Sequence, residues 1–157
     1  MSTILRTIEF LCLSLWVGGI VFLSFVVAPG AFSILPGRDI AGTMVSYALG
    51  RLHLIGLVCG LIFLLARLAR LRGIAGFAAP VVLAVILMIA LTAVSQFAVS
   101  PRMARLRTEM GSVEKTVPQN PLHVQFDRLH RRSVALETCV LLAGIAGLYL
   151  LTREASR

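Results

Sequence analysis

The chain has 157 residues, a length that fits one domain, and 58% of them are hydrophobic while only 14% are charged. Soluble domains carry about 25% charge, and a mean hydropathy of +0.92 leaves more apolar surface than one small core can hide, which excludes an ordinary water-soluble globule. The net charge of +8 comes without any nucleic-acid-binding motif, so nucleic acid is excluded as a partner and the lipid bilayer, with its anionic headgroups, is expected instead.

A bilayer core about 30 Å thick needs about 20 apolar residues at about 1.5 Å each, and four such runs are predicted. The first covers residues 8–27 and ends at Pro29-Gly30. The small residues Ala28 to Ala31 resemble a signal-peptide cleavage site. The apolar run from Phe10 to Val27 is longer than a signal core, however, and Trp16, Gly18 and Gly19 suit helix packing, so an uncleaved span is expected. Asp39 is predicted to cap a helix through Ile40, Met44 and Tyr47 that lies at the interface or runs straight into the second span, residues 47–66. Arg67, Arg70 and Arg72 close that span.

The third span covers residues 79–99, with Pro80 in its first turn in preference to a start at Ile74. Beyond Val99 the apolar positions Met103, Leu106, Met110, Val113 and Val117 keep helical spacing as far as Pro118. Asn120-Pro121 then reads as a cap and a first helical residue, followed by Leu122, Phe126 and Leu129. Residues 100–132 are therefore expected to form a helical hairpin projecting from one membrane face, before the fourth span at 133–151. The predicted fold is all-α, a single up-and-down four-helix membrane bundle over residues 1–157.

Charge divides between the faces, with Arg6, Arg67, Arg70, Arg72, Arg153 and Arg157 on one and seven basic residues of the third loop on the other. The tight second loop has three Arg and no acid, which favours both termini in the cytoplasm of an inner or plasma membrane. Cys12, Cys59 and Cys139 stand in apolar runs without CxxC spacing and are expected to pack as small hydrophobic residues.

Up-and-down threading gathers the polar residues at one end of the bundle: Arg51 and His53 in span two, Gln96 and Ser100 in span three, and His130, Ser133 and Glu137 on one face of span four. His123 and Phe126 extend that stripe. Glu137 lies about 7 Å deeper than Arg132 by helical rise, and a carboxylate at such depth needs a partner. Two readings follow. In the first, Arg51 and Glu137 form a structural ion pair; in the second, His53, His130, Ser133 and Glu137 line a cavity for a proton, a metal ion or a small ligand. Paired His53 and His130 could also suggest haem, and Met88, Met103 and Met110 copper, although neither pattern specifies a cofactor. Glu9, at the other end, matches Arg67 in depth. Small-xxx-small pairs at Ser14 and Gly18, Gly56 and Gly60, and Ala143 and Gly147 predict close helix contacts, and the face shared by His53, Gly56 and Gly60 turns the imidazole inward.

Leu15-Trp16-Val17-Gly18-Gly19, followed by Phe22, Phe25, Pro29, Phe32, Ala41-Gly42 and then Phe126-x-x-Leu129-His130-x-x-Ser133, resembles the transmembrane protein 205-like family, also called domain of unknown function 4149. The resemblance spans nearly the whole chain and implies a small four-helix membrane protein without an established activity. It carries over His130 and Ser133, whereas the family often has Asn where Glu137 stands. No nucleophile-base pair, phosphate-binding loop or zinc motif accompanies it, so no enzyme is predicted. The expected role is binding or transport of an ion or small ligand at the polar face. The alternative is a structural or assembly partner of another membrane protein or of a second copy.

Overall fold

The computed structural model describes residues 2–71 and 79–156. Four helices, each long and apolar enough to cross a membrane, make up the bundle: α1 (Thr3–Ile34), α2 (Arg38–Leu71), α3 (Pro80–Met110) and α4 (Pro121–Ala155). Together they form a four-span membrane protein. α1 packs on α2 and α3 on α4, and contacts of α1 with α4 and of α2 with α3 close the ring. Only 22–39% of each apolar window is buried, so the remaining apolar surface, including Leu15, Phe25, Leu61, Leu83 and Tyr149, requires lipid rather than water around it.

Trp16 organises the centre, buried with Leu13, Ile20, Phe63, Val85, Met88 and Val140. Its indole lies across the two close-packing glycines of α2. A Cβ on Gly56 would sit 2.2 Å from Trp16 Nε1, and one on Gly60 would sit 2.8 Å from Ile89. On α4, a Cβ on Gly144 would meet Val17 at 2.5 Å and Met88 at 3.1 Å. Such contacts let backbones approach where lipid tails provide no hydrophobic drive for association. The predicted pair on α1 is used differently, because Ser14 is exposed and Gly18 has nothing within 4 Å of its Cβ position.

Proline and asparagine set two helix starts as the sequence predicts. Ala79 is extended and Pro80 opens α3; Asn120 accepts a hydrogen bond from the Leu122 amide at 2.9 Å, and Pro121 opens α4. Arg72 and Ile74 lie outside the described residues. α2 runs straight from Arg38 into its span, so the Asp39 segment is no separate interfacial helix.

The projecting hairpin is not an added element. Residues up to Met110 continue α3, those from Pro121 belong to α4, and residues 111–120 are turns. Gly111, not Pro118, stops the helix, at a φ of +69° that side-chain-bearing residues rarely adopt. Val113 and Val117 therefore leave the helical stripe. Asp39 holds this turn, accepting from the Ser112 hydroxyl at 2.5 Å and the Val113 amide at 2.9 Å. Arg107 donates to Ser46 Oγ at 3.2 Å and lies over the Phe126 ring, completing a polar clasp among α2, α3 and α4.

At the other end, Arg67 reaches Glu9 at 3.2 Å and Glu154 at 2.5 Å, Arg70 reaches Glu9 at 2.8 Å, and Arg6 donates to the Glu154 carbonyl at 3.0 Å. Glu9 and Arg67 are buried while Glu154 stays about one-third exposed, so this network ties α1, α2 and α4 together with its outer edge open.

Candidate functional site

Three side chains from three helices meet in the clasp half of the bundle. The contacts of Gly60 with Ile89 and of Gly144 with Met88 set the register of α2 and α4 against α3. Seven residues, or two helical turns, from Gly60, Ile89 and Gly144 stand His53, Gln96 and Glu137, which therefore reach one layer. His53 Nδ1 lies 2.9 Å from Gln96 Oε1, and His53 Nε2 lies 3.1 Å from Glu137 Oε2. The imidazole is 1% exposed and the glutamate side chain 14%.

The backbone around this layer is irregular. α1 widens to π geometry at Leu23–Val27 and α3 at Ser95–Val99, the segment that carries Gln96. π turns of this kind recur at functional sites. Thr92 and Ser95, on the buried face of α3, are each 1% exposed, and their hydroxyl oxygens have no hydrogen-bond partner. Buried hydroxyls normally find one, so this part of α3 has unused hydrogen-bonding capacity beside the His53 layer.

The hydrogen-bond inventory constrains where protons sit. A neutral imidazole donates from one nitrogen and accepts at the other, and an ionised carboxylate only accepts. With Gln96 Oε1 facing the ring, Nδ1 carries a proton. Nε2 then either carries a second proton, which it donates to ionised Glu137, or accepts one from protonated Glu137. With the Gln96 amide turned over, its NH2 donates to Nδ1, and Nε2–H donates to ionised Glu137. Every arrangement puts a proton between Nε2 and Oε2. With Glu137 ionised, the two amide orientations differ by one proton, a doubly protonated imidazole in one and a singly protonated imidazole in the other.

The other residues singled out from sequence fall elsewhere. Arg51, weighed as the ion-pair partner of Glu137, is exposed with its guanidinium over the Tyr47 ring at 5.1 Å, and the carboxylate contacts His53 instead. His130 is exposed and stacks on Phe126 with ring centroids 6.5 Å apart. It shares the azimuth of Glu137 but lies two turns, about 10 Å, away along α4, too far to join the same layer. Ser133 is buried between them at 8% exposure. His123, further out, lies 3.1 Å from the Thr116 carbonyl oxygen. Gln96, which the sequence places at the end of span three without a role, is the third member of the site. Cys139 is exposed rather than packed.

Among the described residues no group of three or more His, Cys, Asp and Glu side chains could hold a metal ion. The metal reading therefore lacks a ligand set, and His53, with both ring nitrogens engaged, does not face His130 as a haem partner.

The sequence matches the family described as domain of unknown function DUF4149 over residues 11–112, more than half of the chain. The chain belongs to the DUF4149 family. The matched DUF4149 segment takes in Trp16, His53 and Gln96 and ends before α4, so Glu137 completes the site from outside it. No curated protein and no solved structure matches the chain.

Proposed function

We propose that this DUF4149 protein binds a proton within the membrane at the Glu137–His53–Gln96 unit, and that loading and unloading of this proton serves the binding or transport of a small ion or ligand along the same polar face. The observation that carries the reading is that His53 bridges Gln96 Oε1 at 2.9 Å and Glu137 Oε2 at 3.1 Å, so that the number of protons on the imidazole is coupled to the orientation of the Gln96 amide. With Glu137 ionised, rotation of the Gln96 amide gives the unit two states that differ by one proton. Ionisable groups inside spans are costly, face the bundle interior and commonly mark proton and ion pathways. Ser133 and His130 continue the polar stripe along α4 towards the clasp and supply a route from the membrane surface.

Infrared difference spectroscopy across a pH titration, in wild type and Glu137→Gln, tests this directly. A carboxyl or imidazole band that changes with pH and vanishes in Glu137→Gln or His53→Asn supports the proposal. A spectrum with no titrating band assignable to either residue between about pH 4 and 9 overturns it. The role is one of binding rather than enzymatic turnover. Kinship with transmembrane protein 205-like proteins and cytoplasmic termini belong to the same proposal, the first supported by Trp16-Val17-Gly18-Gly19 and by Leu129-His130 with Ser133, the second by the even number of spans, which puts both termini on one face, and by the three arginines and no acid of the second loop.

A second reading, a structural or assembly partner in the membrane, is favoured by the exposed Ser14 and open Gly18 on α1. Cysteine crosslinking at position 14 in native membranes separates the two, since a specific adduct with another chain favours assembly.

A further inference from the structure

A groove of about 440 Å³ opens sideways between α3 and α4. Its floor is apolar, built from Val94, Ala98 and Val99 on one helix and Ala135, Leu136 and Cys139 on the other. Arg102 and Arg132 also line it. Arg102 lies eight residues beyond Val94, about 12 Å along α3, and Arg132 seven residues before Cys139, about 10 Å along α4. Because the two helices are antiparallel, both guanidinium groups stand at the same end. Both arginines are exposed, and neither forms an ion pair among the described residues. Past them a second groove of about 510 Å³ shares Arg102 and Leu129 and adds Arg105, Arg128 and the acid Glu109.

This layout sorts by depth. The arginines lie where α3 and α4 leave the apolar spans, at headgroup level, and the apolar floor descends from them into the hydrocarbon layer. The complementary molecule has an anionic head joined directly to an apolar chain. A free phosphate would leave the floor uncovered, and a zwitterionic lipid would bring its own cation against Arg102 and Arg132. Guanidinium groups match phosphate oxygens in geometry as well as charge.

We propose that the α3–α4 groove holds one anionic phospholipid, its phosphate between Arg102 and Arg132 and an acyl chain along Ala98 and Leu136. None of His53, Gln96 and Glu137 lines the groove, so this assignment does not rest on the proton reading.

Native mass spectrometry of the detergent-solubilised protein, titrated with phosphatidylglycerol or phosphatidylcholine of matched chains, tests the assignment. The expected result is one phosphatidylglycerol retained about tenfold or more better than phosphatidylcholine. Arg102→Gln with Arg132→Gln should abolish that preference, whereas Arg153→Gln at the opposite end should not. Ala98→Trp or Ala135→Phe, lipid-facing changes that fill the floor, should lose the bound lipid with all arginines intact. Glycerol phosphate should not compete. Equal retention of the two lipids, full preference in both groove-filling variants, or competition by glycerol phosphate would each overturn the proposal in favour of annular lipid or a simple anion site.

Discussion

Glu137 lies against His53, 3.1 Å from Nε2, while Arg51, about 200° around α2 from His53, turns outward over Tyr47. The partly buried carboxylate is thus matched by a group that can share a proton with it, not by a permanent cation. Glu137→Gln and His53→Asn should therefore show a coupling of about 0.5–3 kcal/mol in a double-mutant cycle of thermal stability. Arg51→Gln should stay within about 0.5 kcal/mol of wild type, as surface substitutions do, and should show no coupling to Glu137→Gln. A coupling found with Arg51 instead of His53 would contradict the assigned pairing.

Gly56→Ala should cost about 1–3 kcal/mol, read as a lowered melting temperature in detergent. The added methyl would fall 2.2 Å from the rigid indole of Trp16, which is 1% exposed and walled in by Phe63 and Ile20. Gly18→Ala, with nothing within 4 Å, is the matched control and should be neutral or slightly stabilising.

Glu9→Gln should destabilise the protein by about 1–3 kcal/mol, because the buried Arg67 keeps only Glu154 and Arg70 loses its carboxylate. Reduced expression in membranes together with an earlier unfolding transition would report it. Replacing Glu9 and Arg67 together by Met should recover part of the loss, since the most deeply buried charge is then removed with its partner, while Arg70 still lacks a carboxylate.

The clasp rests on Asp39. Asp39→Ala removes acceptors for Ser112, Val113 and Glu114, and the Val113 amide should then exchange its hydrogen faster by the equivalent of about 1–3 kcal/mol of local stability. Exchange at Val140, in the buried centre, should stay unchanged. Equal acceleration at both amides would mean that Asp39 supports the whole bundle.

The spans and their starts are legible because hydropathy, proline and cap chemistry act within one helix: Pro80, Asn120 and Pro121 sit where their backbone preferences place them. His53 is also legible as an inward residue, since Gly56 and Gly60 mark the contact face three and seven residues on. What the letters do not contain is the register between helices. Gln96 joins His53 only because Gly60 abuts Ile89, and Glu137 meets the same ring only because Gly144 abuts Met88. Arg51 and His53 differ by two positions, about 200° around α2, so choosing Glu137's partner needed the helix rotation as well as the depth. The expected hairpin differs from the structure for a related reason: Val113 and Val117 continue the helical spacing, but Gly111 breaks the chain direction before them.

The depth of Glu137 also has an electrical meaning. It lies about 7 Å below Arg132 along α4, roughly a quarter of a 30 Å core, so a proton arriving from that face crosses about a quarter of the transmembrane voltage. At 100 mV that fraction is worth about 0.6 kcal/mol, less than half a decade in occupancy. On the proposed proton reading, loading of the Glu137–His53–Gln96 unit would therefore respond little to the membrane potential. The tightly packed layer of Trp16, Phe63 and Met88 stands between it and the other three quarters of the field.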